Sequence, residues 1–143
     1  MGVSRIFFDT NLFIYLIEDA GERGAKVTKL IARMSDRHDE LLTSTLSLAE
    51  VLVKPLATGN VASAQRYEKL LSSPGISVLP FDRACARIYA QLRQDKTLKA
   101  PDAIQLSCAA NARCDLFLTN DERLSRRIVP GIQFVASLDR APV

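Results

Sequence analysis

A chain of 143 residues, 48% hydrophobic and 24% charged, is long enough to bury a real core and too apolar to be disordered, so one domain spanning 1–143 is expected. Its formal net charge of +3 and pI near 8.9 permit a polyanionic partner without requiring one, because no Lys/Arg block forms a basic tail. No apolar run approaches the roughly 18 residues of a membrane span, and the N-terminus lacks the regions of a signal peptide, which predicts a cytoplasmic protein without membrane contact.

Short apolar runs alternate with helical patterns. RIFF (5–8) reads as a buried strand, and the chain leaves it through Asp9, Thr10 and Asn11. Asp9 is the one charged residue in IFFDTNLFIYL (6–16). Val27, Leu30, Ile31 and Met34 follow the i, i+3, i+4, i+7 spacing of a helix. His38, the single histidine, falls in the polar stretch SDRHDE and reads as surface loop. LLTS (41–44) is the second strand, and Leu46, Ala49, Val53 and Leu56 are expected to line one face of the helix after it. Gly59-Asn60 turns the chain into a second helix through Ala64, Tyr67 and Leu71, giving a helical hairpin. ISVL (76–79) is the third strand, followed by a helix capped by Asp82 in which Ala84, Ile88 and Leu92 share a face. Ile104, Cys108 and Ala112 repeat at four in another helix, and DLFL (115–118) and IQFV (132–135) complete the strands. This alternation predicts an α/β domain with a mostly parallel sheet covered on both faces. Such sheets bind ligands outside the carboxyl ends of the strands, near a topological switch point, and Asp9 follows the first strand directly.

Cys85, Cys108 and Cys114 are odd in number and form no CxxC pair, which argues against a disulfide framework or a zinc knuckle. Cys108 reads as helix core. With one histidine, a Ser-His-Asp triad or a two-histidine mechanism has little to work with, and carboxylates remain. Each of four acids has a structural explanation when taken singly. Ser47-x-x-Glu50 reads as a capping box, and Thr119-x-x-Glu122, around Asp121, reads as another. Asp102 follows Pro101 at a helix start, where its charge suits the dipole, and Asp9 can start a helix through Asn11. Jointly they are harder to dismiss, since strand ends and helix starts would bring all four to one edge. Two unit charges about 5 Å apart repel by roughly 3 kcal/mol at an effective dielectric of about 20. Such a cluster calls for protons or a divalent cation, and all-oxygen ligands suit Mg²⁺ or Mn²⁺ better than zinc. Asp36, Asp39, Asp95 and Asp139, in polar or terminal stretches, are expected in solvent.

FFDTNLFIY, SLAEVL, PDAIQ and FLTND, in this order over residues 7–121, resemble the four acidic motifs of PIN-domain nucleases. The size and spacing resemble the bacterial VapC-type toxin ribonucleases of type II toxin–antitoxin systems. The resemblance implies a PIN-like three-layer α/β/α fold around a mostly parallel sheet of about five strands. It makes Asp9, Glu50, Asp102 and Asp121 the catalytic acids and the ligands of Mg²⁺ or Mn²⁺, with Asn11, Ser47 and Thr119 in support. Beyond the fourth acid the chain departs from the family, reading ERLSRR where members often carry an acidic or aromatic pair. Implied too are hydrolysis of an RNA substrate to 5′-phosphate and 3′-hydroxyl ends, a cognate antitoxin protein and a homodimer.

Arg93, Lys96 and Lys99 before Asp102, and Arg123, Arg126 and Arg127 after Asp121, are candidate RNA contacts. Without Trp, and with 6% aromatics at core-like positions, no platform for stacking bases is expected. The main alternative is a non-catalytic PIN-like domain that binds RNA or protein. A haloacid dehalogenase-type site would read DxDx[TV], against Asn11 here, and neither a GxGxxG nor a P-loop spacing occurs.

Overall fold

A computed structural model describes residues 3–141. Five strands, β1 (Arg5–Phe8), β2 (Glu40–Ser44), β3 (Ile76–Leu79), β4 (Leu116–Thr119) and β5 (Phe134–Ser137), pair in parallel in the order β3-β2-β1-β4-β5. Each begins and ends within two residues of the apolar run that announced it. β1 occupies the middle because Ile6, Phe7 and Phe8 are all fully buried, and a strand apolar on both faces needs cover on both.

The pleat divides those three side chains between two cores. Ile6 and Phe8 face a layer built from α1 (Thr10–Glu18), α2 (Glu22–Arg37), α3 (Thr45–Ala57) and α4 (Val61–Leu71), through Leu12, Phe13, Leu30, Met34, Val51 and Tyr67. Phe7 faces the opposite layer, built from α5 (Arg83–Leu92) and α6 (Ala100–Asn111), through Cys85, Leu106 and Cys108. Across the paired strands the rings of Phe7 and Phe117 stack at 5.1 Å. The result is the α/β/α sandwich that the alternating pattern predicts. Among the described residues no helix is long and apolar enough to cross a membrane.

The chain builds β1, β2 and β3 outward in one direction, then crosses to lay β4 against the free side of β1. The switch point therefore lies between the carboxyl ends of β1 and β4, where Asp9 and Thr119 emerge.

Several faces differ from expectation. On α3, Ala49, Val53 and Leu56 are exposed, Val53 at 66% and Leu56 at 68%, and Leu46 is half-buried. The buried face carries Ser47, Val51 and Pro55, with Leu48 and Leu52 against the core. Both faces have helical spacing; Ser47 turns inward because buried partners wait for its hydroxyl. On α5, Ala84 is exposed and Cys85 is buried in its place, beside Ile88 and Leu92. Asp82 caps α5 as expected, accepting the Cys85 N–H at 3.0 Å. The Asp39 side chain is shielded rather than solvated, taking the Ser4 N–H at 3.1 Å and the Arg37 guanidinium at 3.0 Å.

α1 and α2 pack closely enough to require glycine at position 24. A Cβ there would stand 1.9 Å from the Asp19 carbonyl oxygen and 2.8 Å from that of Tyr15, both backbone atoms that cannot step aside. Gly24→Ala is expected to lower stability by about 3 kcal/mol, the upper part of the range for overpacking. Urea unfolding measures it, and a variant as stable as wild type would contradict the packing described.

Candidate active site

Asp9 is the first residue beyond β1, and its N–H reaches Leu118 O at 2.9 Å, extending the β1–β4 ladder. The backbone then turns into α1 with Asp9 as N-cap, so the helix-start reading is correct as far as it goes. Its Oδ1 accepts the Thr10 N–H at 2.8 Å and its Oδ2 accepts the Thr119 hydroxyl at 2.8 Å. The residue is 9% exposed. Burial pushes its carboxyl up to about 6, against those two hydrogen bonds and with help from the charges of Asp102 and Glu50. Capping alone would hold the group low.

Glu50 projects from α3, and its Oε1 accepts the Thr10 hydroxyl at 2.6 Å. The expected Ser47–Glu50 capping box does not form, because the helix begins earlier: Ser44 is the N-cap, accepting the Leu46 N–H at 3.2 Å. Ser47 is released into the interior, where its hydroxyl meets Thr43 Oγ1 at 2.8 Å, Thr10 Oγ1 at 3.2 Å and Gln105 Nε2 at 2.7 Å. Asp102 stands in the first turn of α6, behind Lys99, which caps without a side-chain bond. Desolvation raises its carboxyl, the charges of Asp121 and Glu50 add to this, and Lys99 and Arg127 oppose it.

Asp121 follows β4. Its Oδ1 accepts the N–H groups of Arg123 at 2.9 Å and Leu124 at 3.3 Å, in the turn that leads into the 3₁₀ helix Leu124–Arg126. The expected Thr119–Glu122 box is therefore absent. The Thr119 hydroxyl instead accepts the Asp121 N–H at 3.0 Å while donating to Asp9, tying the first and fourth acids to one hydroxyl.

Asp102 and Asp121 line a cleft of about 250 Å³ with Thr97, Leu98, Lys99, Arg123, Leu124 and Arg127. Three of the six basic candidates are thus beside the acids. Arg127 is already committed to Asp95 at 2.7 Å and Thr97 at 3.1 Å. Arg93 packs on the Tyr89 ring, Arg126 lines a separate cavity with Ile128 and Phe134, and Lys96 is exposed outside the cleft lining. Asn11 is exposed and makes no side-chain hydrogen bond among those described, whereas its neighbour Thr10 holds Glu50. Thr10 and Gln105 are the members that motif reading overlooked. A glutamine one helical turn beyond Asp102, in the otherwise apolar AIQLSCAA, is the signal that could have found the second.

The four acids offer oxygen donors with no His or Cys among them, a set whose chemistry fits Mg²⁺ or Mn²⁺. Among the described residues, however, no three His, Cys, Asp or Glu side chains already form a group that could hold a metal ion. Glu50 is drawn to Thr10 and Asp121 to its own turn, so enclosing an ion requires these side chains to swing inward.

The all-parallel sheet, with a buried Asp9 at its switch point and Asp102 and Asp121 on one cleft, is the architecture to set beside known proteins. The PIN domain family model matches residues 6–128, and the chain belongs to that family, as the four acidic motifs implied. A toxin–antitoxin complex from Klebsiella pneumoniae has a TM-score of 0.65 at 25% identity, over 89% of this chain and 94% of that one. VapBC2 from Rickettsia felis, bound to a DNA fragment from its promoter, has a TM-score of 0.69 at 17% identity, over 93% and 98%. DNA-bound VapBC from Salmonella typhimurium has a TM-score of 0.67 at 19% identity, over 95% and 99%. The last two establish the fold alone. Among curated proteins there is no significant match.

The raised Asp9 pKa has a sign that can be checked. The folded chain binds this proton up to about pH 6 and the unfolded chain only to about 3.8, so between those values the folded state holds more protons. Stability from this group therefore falls as pH rises from about 4 to about 6 in the metal-free protein. Asp9→Asn keeps an oxygen for the Thr10 N–H and should stabilise the metal-free protein at pH 7 by up to about 3 kcal/mol. It should also flatten the loss between pH 4 and 7. Urea titrations at three pH values test this, and an Asn variant weaker than wild type at pH 7 would refute it.

Proposed function

We propose that this protein is a metal-dependent endoribonuclease, and that it is the toxin of a toxin–antitoxin pair. What supports the reading is that Asp9 emerges at the switch point of a PIN sheet and that Asp9, Glu50, Asp102 and Asp121, from separate elements, lie near enough for their charges to raise the carboxyls of Asp9 and Asp102. Asp9, Glu50 and Asp102 would hold Mg²⁺ or Mn²⁺, with Asp121 assisting. When bound, the cation supplies Lewis-acid polarisation of a phosphoryl oxygen and a lowered pKa for an attacking water.

The chain's own groups do the rest. Thr10 and Thr119 hold Glu50 Oε1 and Asp9 Oδ2 by their hydroxyls, and the Thr10 N–H holds Asp9 Oδ1, so that Asp9 would offer a cation only the second lone pairs of oxygens already in hydrogen bonds. Lys99 and Arg123, on the cleft wall, would take phosphates flanking the scissile bond. Water attack requires no nucleophilic side chain and no 2′-hydroxyl, so the products are a 5′-phosphate and a 3′-hydroxyl.

The antitoxin reading draws on the toxin–antitoxin structures that share this architecture. An apolar groove of about 580 Å³ between α1, α2, α4 and the edge strand β3, floored by Leu16, Ile31, Met34, Leu70 and Ile76, suits the apolar face of such a partner's helix. A homodimer and a cytoplasmic location belong to the same reading.

The open carboxylate geometry favours one alternative, a PIN domain that binds RNA or protein without cutting. Incubation of wild type and Asp102→Asn with total RNA, in Mg²⁺, Mn²⁺ or EDTA, separates the two. The nuclease reading expects cleavage that needs metal and falls roughly 100-fold in the variant, an activation difference of about 2.7 kcal/mol. Equal cleavage by both proteins, metal-independent cleavage, or 2′,3′-cyclic phosphate ends would reject it.

A further inference from the structure

We propose that Gln105 is a positioning residue whose buried amide holds Asp9 and, through Thr10, Glu50 in the orientation that lets them act as ligands. The inference deepens the nuclease reading and rests on it.

Gln105 lies on α6 one turn beyond Asp102 and is 1% exposed. A glutamine amide removed from water must satisfy two N–H donors and an acceptor oxygen. Here Nε2 reaches Ser47 Oγ at 2.7 Å, Thr10 Oγ1 at 3.1 Å and Asp9 Oδ1 at 3.4 Å, and Oε1 accepts the Ser44 hydroxyl. The amide cannot turn over. Ionised Asp9 only accepts hydrogen bonds, so the nitrogen must face it. Ser44 already accepts the Leu46 N–H with its oxygen and has its hydrogen to give to Oε1.

That fixed direction orders the protons beyond it. Thr10 has one hydroxyl hydrogen and two claimants, Ser47 at 3.2 Å and Glu50 at 2.6 Å. With Nε2 donating one hydrogen to Ser47 and sharing the other between Thr10 Oγ1 and Asp9 Oδ1, the Thr10 hydrogen is directed to Glu50. One side chain of α6 therefore reaches the start of α1, which carries Asp9, and the inner face of α3, which carries Glu50. Gln105 lines no part of the acid cleft and meets no substrate; its effect on the acids runs through their orientation.

Two variants and one resonance test this. Gln105→Leu removes every hydrogen bond of the amide at nearly constant volume, and Thr10→Val removes only the relay hydroxyl. Gln105→Leu, folded by circular dichroism, should bind Mn²⁺ about tenfold more weakly by calorimetry, as losses of partners behind a metal ligand do. Its kcat should fall by a similar factor while KM for RNA stays within about twofold, the mark of lost transition-state stabilisation rather than lost RNA binding. The double variant should be little worse than the weaker single one, because both lie on one path. In wild type, the Gln105 side-chain amide resonances should shift as Mg²⁺ is added, which a purely structural glutamine would not do.

A folded Gln105→Leu with wild-type Mn²⁺ affinity overturns the proposal, and so do Gln105 resonances that stay fixed at saturating Mg²⁺. If Gln105→Leu fails to fold, Thr10→Val and the wild-type resonances decide. Wild type that binds no Mn²⁺ rejects the nuclease reading and this inference together. Wild type that binds it, with variants that bind equally well, rejects this inference alone.

Discussion

The structure is organised around one unfavourable placement, a carboxyl group held almost out of water at the end of the central strand. β1 must be apolar on both faces to sit in the middle of the sheet, and the residue after it emerges between two helical layers. Asp9 occupies that position. An ionised carboxylate there is tolerable only if donors surround it, and the Thr10 N–H, the Thr119 hydroxyl and the Gln105 amide supply them. They do not suffice, since the group remains harder to ionise than a free aspartate. The remaining deficit is what a cation would offset.

That placement propagates into both layers. Thr43, Ser44, Ser47, Thr10, Thr119 and Gln105 form a polar wedge along the carboxyl edge of the sheet, between two apolar cores. Buried hydroxyls and amides destabilise a core unless every member is paired. Among the described residues the one buried side-chain polar atom without a partner is Ser137 Oγ on the edge strand β5, outside the wedge. The wedge also explains why α3 turns a serine inward and leaves Val53 and Leu56 in solvent: the hydrogen-bond demand of the strand end outranks the apolar pattern of the helix.

How much of this was legible follows from the range of the forces involved. Strands were readable because burial on both faces leaves contiguous apolar runs, and a two-residue error at β5 moves no site residue. The positions of Asp9, Asp102 and Asp121 in the fold were readable because strand ends and helix starts are local features. The capping box suggested by Ser47-x-x-Glu50 was misleading only about the helix start, because a cap one turn earlier competes with it: Ser44 takes the Leu46 N–H. Asn11 drew attention through its motif, yet the adjacent hydroxyl of Thr10 is the group aimed at α3. Arg127 looked free in the sequence because its partners, Asp95 and Thr97, lie some thirty positions away. Gln105 escaped notice for a similar reason: its partners come from Asp9, Thr10, Ser44 and Ser47, distant in the chain and adjacent only across the switch point.

The open arrangement of the acids has a physical logic of its own. Burial holds the carboxyls of Asp9 and Asp102 above the usual range, and the like charges around them add to that cost in the absence of a cation. Tying Glu50 to Thr10 and Asp121 to the N–H groups of its own turn gives each charge a local donor. A ligand that binds only the folded chain stabilises it by mass action, so closing these carboxylates around a cation would return stability that their burial removes. The residues that strain the metal-free fold are therefore the ones through which it would gain most from a bound ion.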